Sequence, residues 1–464
     1  MTGRIRKSVR RAIPGAVAAL LAAAATACTS SSTGTTTVVA SAPEAVVLGD
    51  GVVGALYSPA VRTDKAAIAV FVMHAEQDYF QFSACTELSK RVYTVLCADG
   101  SAGKNGASND LDTETWMTGA AEGVGYLRGL PTVKKVVLFG HSGGGAMMAS
   151  YQNIAENGVQ ACNGPEKIAP CSEAVAHLPK ADGILLADAN YGISTMTLLS
   201  LDPAITDEND PATRDPALDL YDPANGFTPT GSHYTPSFTA AFQRGVAARM
   251  NRLIADAQTR KAEIAAGTAR FPDDDSMTVP GANYLVPDNR FFPQDPSYLA
   301  HTTDAWPLLH ADGTETTEVV HTVRPPSNLQ PTSGTYATDA LKTSVKRFLS
   351  TFAIRVGPDF AYHADGLTGV DWASSNTTPI GAAPGITVPL LTMGMTGHWE
   401  FLAAEKIYQV AGSKDKSIAF VDGASHIITP CQECAQKPGQ YGDTLRTTYD
   451  HMDRWLAKPG RFLN

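Results

Sequence analysis

The chain has 464 residues, 44% of them hydrophobic and 18% charged, a globular composition long enough for one large domain or one domain with a big insertion. Thirty-six basic residues stand against 46 acidic ones, for a formal net charge of −10. An acidic body without a basic stripe argues against nucleic acid and anionic surfaces as ligands.

In chain order, the first segment reads as a leader. "MTGRIRKSVRR" is a basic n-region, and "AIPGAVAALLAAAATA" is apolar but too short and alanine-rich for a membrane span. It ends in "ATAC", where Cys28 follows small residues and precedes "TSSSTGTTT". This resembles a bacterial lipoprotein signal, which implies that Cys28 is lipidated and becomes the first residue. Ala25 stands where such signals usually carry leucine, so ordinary cleavage with free secretion is the alternative. Both routes export the chain. Loss of residues 1–27 removes five basic side chains and no acidic one, and takes the net charge to −15. Beyond Cys28 the cysteines are Cys85, Cys97, Cys162, Cys171, Cys431 and Cys434. An even number in an oxidising compartment reads as disulfides, and proximity in sequence favours 85–97, 162–171 and 431–434. Zinc at Cys431-x-x-Cys434 would need a second Cys/His pair at ligand spacing, which is missing, so no metal is expected there.

Residues 28–44 form a Ser/Thr/Ala tether. "AVVLGDGVVGALYSP" predicts two strands joined by a turn, and "AAIAVFVMHA" predicts a buried strand followed by a helix around "FSACTELSKR". The strand "VYTVLCAD", a Gly/Asn/Ser loop and the helix "TETWMTGAAEGVGYLRGL" come next. Then follow the strand "KKVVLFG", the helix "GGAMMASYQNIAE" and the strand "ADGILLADA". Near the C-terminus, "TVPLLTMG" and "SIAFVDG" read as strands around the helix "FLAAEKIYQVA", and "TLRTTYDHMDRWLAK" is the last helix. Strands alternating with helices predict parallel crossovers and a sheet covered on both faces. Between about 192 and 385 the alternation stops. That segment is rich in Pro, Asp and aromatics, with amphipathic helices expected at "TAAFQRGVAARMNRLIADAQ" and "TDALKTSVKRFLSTFAIRV".

The stretch "VVLFGHSGGGAMMASY" carries the chemistry. A strand, then Gly140-His141-Ser142-Gly143-Gly144, then a helix is the pattern of a nucleophile elbow. A Cβ at Gly140 or Gly144 would collide with the neighbouring strand or helix. The turn projects Ser142 above the sheet, with the Gly143 amide and the helix dipole facing a developing oxyanion.

On these residues the mature chain, apart from the insertion, resembles the α/β-hydrolase family. The resemblance implies an α/β fold with a mostly parallel, doubly covered sheet. Its core would span 45–191 and 386–464, with a large lid or cap at 192–385 between the sixth and seventh strands. The family order of nucleophile, acid and histidine places the catalytic base at His426, in "SIAFVDGASHIITP". His398, in "GMTGHWE", is expected to line the pocket, and His141 to pack inside without a chemical role. A second oxyanion amide would come from His74-Ala75-Glu76, at Ala75 or Glu76, with His74 near the substrate; Glu76 and Asp78 read as a solvated rim. The acid has two candidates. Gly397 stands where relatives most often carry it, which leaves Asp188, at the end of the sixth strand, and Glu400, farther along the seventh-strand loop. Asp188 is favoured by its place directly at a strand end.

The expected function is hydrolysis of a small-molecule or lipid carboxylic ester through an acyl-enzyme on Ser142, without a cofactor. Acyl transfer to a cell-envelope acceptor would use the same groups. A catalytically silent binding protein on this fold is the third possibility, opposed by the intact Ser142 and His426. The insertion's aromatics Phe227, Tyr234, Tyr284, Phe291, Phe292 and Trp306 suit either an apolar pocket wall or a second core.

Overall fold

The computed structural model describes residues 42–49, 51–100, 111–282, 291–326 and 340–463. The expected leader, Cys28, most of the tether and Tyr284 lie outside the described residues.

Before the insertion come β1 (Glu44–Val47), β2 (Val53–Tyr57), β3 (Ile68–Met73), β4 (Thr94–Asp99), β5 (Lys135–Ser142) and β6 (Gly183–Ala189). The insertion holds β7 (Ser276–Pro280), β8 (His301–Leu309), β9 (Glu315–His321), β10 (Ala340–Ser344), β11 (Val356–His363) and β12 (Gly366–Val370). β13 (Leu390–Met395) and β14 (Lys416–Val421) follow it. The main sheet has ten strands in the order β1-β2-β4-β3-β5-β6-β13-β14-β8-β9. Pairing is parallel from β4 through to β8 and antiparallel at both edges.

The central strands of this sheet are buried on both faces, which explains why they are apolar without alternation. In β3, Ala69, Phe71 and Met73 belong to one core, and Ile68, Val70 and Val72 to the other. β5 divides Val136 and Leu138 from Val137 and Phe139 in the same way. Helices α1 (Ser83–Lys90), α2 (Thr113–Gly129) and α3 (Gly143–Asn157) make the crossovers in the first half, and helices Leu402–Val410 and Thr444–Leu456 serve the second. α2 starts on Asp112, whose carboxylate accepts from the Glu114 and Thr115 amides and caps otherwise unpaired donors. The cysteines pair as Cys85–Cys97, Cys162–Cys171 and Cys431–Cys434.

The insertion opens with the buried helix α4 (Ile193–Ser200) and contains the 31-residue α5 (Pro236–Ala266). Thr235 caps α5, Pro236 occupies its first turn, and Gly267 ends it in the left-handed conformation at φ 71°. Phe242, Val246, Met250, Leu253 and Ala257 form its buried stripe. Phe291, Phe292, Tyr234 and Phe227 are buried, and Phe291 contacts Tyr234, Phe242, Tyr298 and Tyr362. Tyr234, Phe242, Phe291, Phe292 and Tyr362 belong to the same continuous core as Ala69, Phe71 and Met73 of β3, so the insertion extends the core on that face of the sheet.

Two expectations change. The segment "TDALKTSVKRFLSTFAIRV" is not one helix: Ala340–Ser344 is β10, paired antiparallel with β7, and helical turns begin only at Val345. Leu341 is buried and Lys342 exposed, so the cross-strand partner overrides the 3.6-residue pattern there. Ser344 then accepts from the Arg347 amide and starts the helical turns. The insertion also does more than cover the sheet. Its hairpin β8–β9 joins the main sheet beside β14 and extends it.

Candidate active site

The buried strand Val136–Phe139 delivers the chain to Gly140-His141-Ser142, and α3 begins at Gly143. Ser142 has φ 54° and ψ −130°, a region costing roughly 1–3 kcal/mol for a residue with a Cβ. Close packing holds it there. A Cβ on Gly140 would meet the Gly145 Cα at 2.5 Å, and one on Gly144 would meet the Met73 carbonyl oxygen at 2.8 Å. The Asn190 amide also donates to the Ser142 carbonyl at 3.1 Å.

Asp188, at the end of β6, is likewise strained at φ 44° and is buried. Its Oδ1 accepts from the Met395 amide at 2.9 Å, which leaves Oδ2 to accept from His426 Nδ1 at 2.7 Å. Burial pushes the Asp188 carboxyl up from its ordinary value, while the His426 hydrogen bond and the Met395 amide pull it down. Glu400, buried at the start of the turn after β13, places Oε2 3.5 Å from the same His426 Nδ1. Both candidate acids thus converge on one imidazole, with the direct hydrogen bond belonging to Asp188. Such a bond fixes the proton on Nδ1 and leaves Nε2 as the base.

The loop that carries His426 is clamped from both sides. The Gly397 amide donates to the Ala424 carbonyl at 2.8 Å, and the Cys431 amide to the Gly423 carbonyl at 2.8 Å. His398 lies beside His426 with ring centroids 4.5 Å apart and the rings tilted by 37°, its Nδ1 3.8 Å from Asp188 Oδ2. Burial first, then the neighbouring His426, holds the His398 pKa well below the usual histidine range.

After β3, His74 Nδ1 accepts from the Glu76 amide at 3.2 Å and the Gln77 amide at 3.0 Å, while its ring stacks on Tyr79 at 4.5 Å. This folds the loop into a tight turn and engages the Glu76 amide. The Ala75 amide has no hydrogen-bond partner among the described residues. An ideal Cβ on Gly143 would lie 3.4 Å from the Ala75 Cβ, so the amides of Gly143 and Ala75 belong to adjoining residues. The rim expectation is corrected for Glu76, which is turned inward and buried; Asp78 is exposed and caps the Phe80 amide at 2.7 Å.

His141, to which sequence reasoning assigned no chemical role, ties the elbow to the base loop. Its Nε2 donates to the His426 carbonyl at 2.6 Å, and its Nδ1 accepts from the Tyr79 hydroxyl at 2.7 Å. A buried imidazole immediately before the serine was the available signal, but nothing local in sequence names its partners. Burial leads, with His426 second, in depressing its pKa.

Ser142, Asp188, His398, Glu400 and His426 all lie at or just beyond the C-terminal ends of parallel strands, where open α/β sheets place their sites. No family model matches the chain, and no curated protein sequence does. Among solved structures it is similar to Est1E from Butyrivibrio proteoclasticus, at 10% identity over 90% of this chain and 98% of that one, TM-score 0.36. It is also similar to proline iminopeptidase from Mycobacterium smegmatis, at 13% over 89% and 97%, TM-score 0.35. A soluble variant of monoglyceride lipase from Saccharomyces cerevisiae aligns at 14% over 91% and 97%, TM-score 0.37. The mostly parallel sheet, its strand order and the strand–Ser142–helix turn above its centre make this an α/β-hydrolase fold with a large insertion between β6 and β13.

Proposed function

We propose that the chain is an exported serine hydrolase that cleaves carboxylic esters through an acyl-enzyme on Ser142. The observation that carries this reading is the 2.7 Å hydrogen bond from His426 Nδ1 to the buried Asp188, on a loop fastened to the elbow through His141.

With Nδ1 protonated, His426 Nε2 takes the proton from Ser142 Oγ as the oxygen attacks the ester carbonyl. The resulting oxyanion is met by the amides of Gly143 and Ala75, the former reinforced by the N-terminus of α3. Asp188 stabilises the imidazolium, which then protonates the departing alcohol. Water, deprotonated by His426, releases the acid and restores Ser142. The mechanism calls only on side chains and backbone amides of this chain and asks for no cofactor. The substrate in this reading is a small-molecule or lipid ester, and the acidic body disfavours polyanionic ones. Export through the leader suits the three disulfides, and lipid attachment at Cys28 would hold the enzyme at the membrane.

A panel of p-nitrophenyl esters of increasing chain length, with and without an added alcohol, tests the reading. Saturable hydrolysis with a defined chain-length optimum is expected. Product formation only with the alcohol present would make the chain an acyltransferase, and no turnover on any ester would remove the proposal.

A further inference from the structure

A catalytic acid–base pair needs two titratable groups, and here four, Asp188, His398, Glu400 and His426, converge on one spot. Each offers one ligand atom, and the four lie within 4.8 Å of one another. His426 Nδ1 is 2.7 Å from Asp188 Oδ2 and 3.5 Å from Glu400 Oε2, while His398 Nδ1 is 3.8 Å and 4.0 Å from the same two oxygens. A tetrahedral zinc shell with bonds of about 2.0–2.1 Å sets its ligand atoms about 3.3 Å apart. These four separations bracket that spacing and all six lie within 4.8 Å, so side-chain shifts of up to about an ångström would bring all four atoms onto one ion.

The donor types fit as well as the spacing. Two imidazole nitrogens and two carboxylate oxygens form a borderline-hard set that suits zinc over calcium or magnesium, which prefer shells of oxygen. Asp188 and Glu400 are both buried, so a dication between them would relieve repulsion in a region poor in water. The neighbouring cation Arg324 is committed elsewhere, donating to the carbonyls of Leu299 at 2.9 Å and Tyr298 at 2.6 Å.

We propose that these four residues form an inhibitory site for a divalent cation of the zinc class. Coordination through His426 Nδ1 replaces its hydrogen bond to Asp188. The Nδ1 proton is lost to solvent and Nε2 takes one up, so the ring remains neutral as the other tautomer. Nε2–H can no longer accept the Ser142 proton, and hydrolysis stops without any change in oxidation state. The inhibition rests on the hydrolase reading above, whereas the metal site does not.

The test is Zn²⁺ titration calorimetry and the visible absorption of Co²⁺ on tag-free protein, together with ester turnover before and after EDTA. One Zn²⁺ per chain, a tetrahedral Co²⁺ spectrum and inhibition reversed by EDTA are expected. Ser142→Ala, without turnover, keeps the binding and the spectrum. His398→Ala and Glu400→Gln each weaken Zn²⁺ by at least about 10-fold, the low end of what loss of even an outer-shell partner costs. The double variant His301→Gln, His321→Gln is the control, because those rings also lie close, at 5.2 Å between centroids. It should bind as the wild type does. Absence of saturable binding, or binding lost in that control and retained in His398→Ala and Glu400→Gln, overturns the site. An active enzyme that binds no Zn²⁺ removes the site and keeps the hydrolase reading; a chain that binds Zn²⁺ here without ester turnover does the reverse.

Discussion

Asp188→Asn and Glu400→Gln separate two acids that stand within reach of the same nitrogen. Asp188 Oδ2 is 2.7 Å from His426 Nδ1, and its other oxygen is held by the Met395 amide at 2.9 Å. An asparagine there keeps the shape, but its amide nitrogen donates where the carboxylate accepted. His426 must then place its proton on Nε2, and the base is lost. The corresponding change in a serine protease triad lowers kcat by about 10⁴, or about 5.4 kcal/mol at about 1.36 kcal/mol per tenfold. Glu400 Oε2, at 3.5 Å, contributes charge but not the aligned hydrogen bond. Glu400→Gln leaves the Asp188 pairing and the tautomer intact, so the loss should be on the order of 10- to 100-fold, the effect of one neighbouring charge on a titrating group. The assay is kcat and KM on the best ester from the panel, with circular dichroism and Tm to exclude misfolding. If Glu400→Gln loses more than Asp188→Asn, the assignment is reversed. If both variants keep near wild-type turnover, another group orients His426 and the triad as drawn is wrong.

Replacing both Cys431 and Cys434 by serine should reduce turnover more than Tm. The ring they close is short and its entropic contribution modest, whereas the Cys431 amide anchors the His426 loop at Gly423; free thiols at both positions in unreduced protein, seen by mass spectrometry, would contradict this. His141→Leu removes the link to the His426 carbonyl and should lower kcat with little change in KM. His141→Gln, which can still donate, should recover part of the loss, and equal loss in both variants would refute the positioning role. Burial first, and His426 second, brings the His74 pKa down to about 3 from 6.5 in the unfolded chain. The unfolded state binds a proton that the folded state refuses within that window, so stability present above pH 6.5 is lost on acidification toward about 3. Tm followed across the window should fall less steeply in His74→Gln than in the wild type; parallel curves would count against it.

Much of the frame was legible because strands buried on both faces leave a plain mark. β3, β5 and β6 are short apolar runs bounded by turn residues and followed by helical spacing, and no other element type suits them in that order. The elbow was legible for a related reason, since glycines crowd where a strand turns abruptly into a helix. The acid was not, because Asp188 and Glu400 both precede His426 in the chain and both follow strands of the same sheet. Only the distance across the sheet's C-terminal edge separates 2.7 Å from 3.5 Å. Residues 340–352 misled for a different reason: a helical pattern in "ALKTSVKRF" yields to pairing with β7, a partner some 60 positions earlier. Glu76 reads as a solvated carboxylate from its place on a loop, yet the His74 turn carries it inward. The convergence of His398 and Glu400 on His426 is likewise a tertiary fact, created when the turn after β13 meets the loop after β14.

The central claim is that Ser142 is the nucleophile. Intact and peptide mass spectrometry after treatment with a fluorophosphonate, on the wild type and on Ser142→Ala, tests it most directly. One adduct per chain at Ser142, none in the variant, and ester turnover lowered by about 10³-fold or more in Ser142→Ala are predicted. An adduct on another residue, or near wild-type turnover in the variant, would contradict the account.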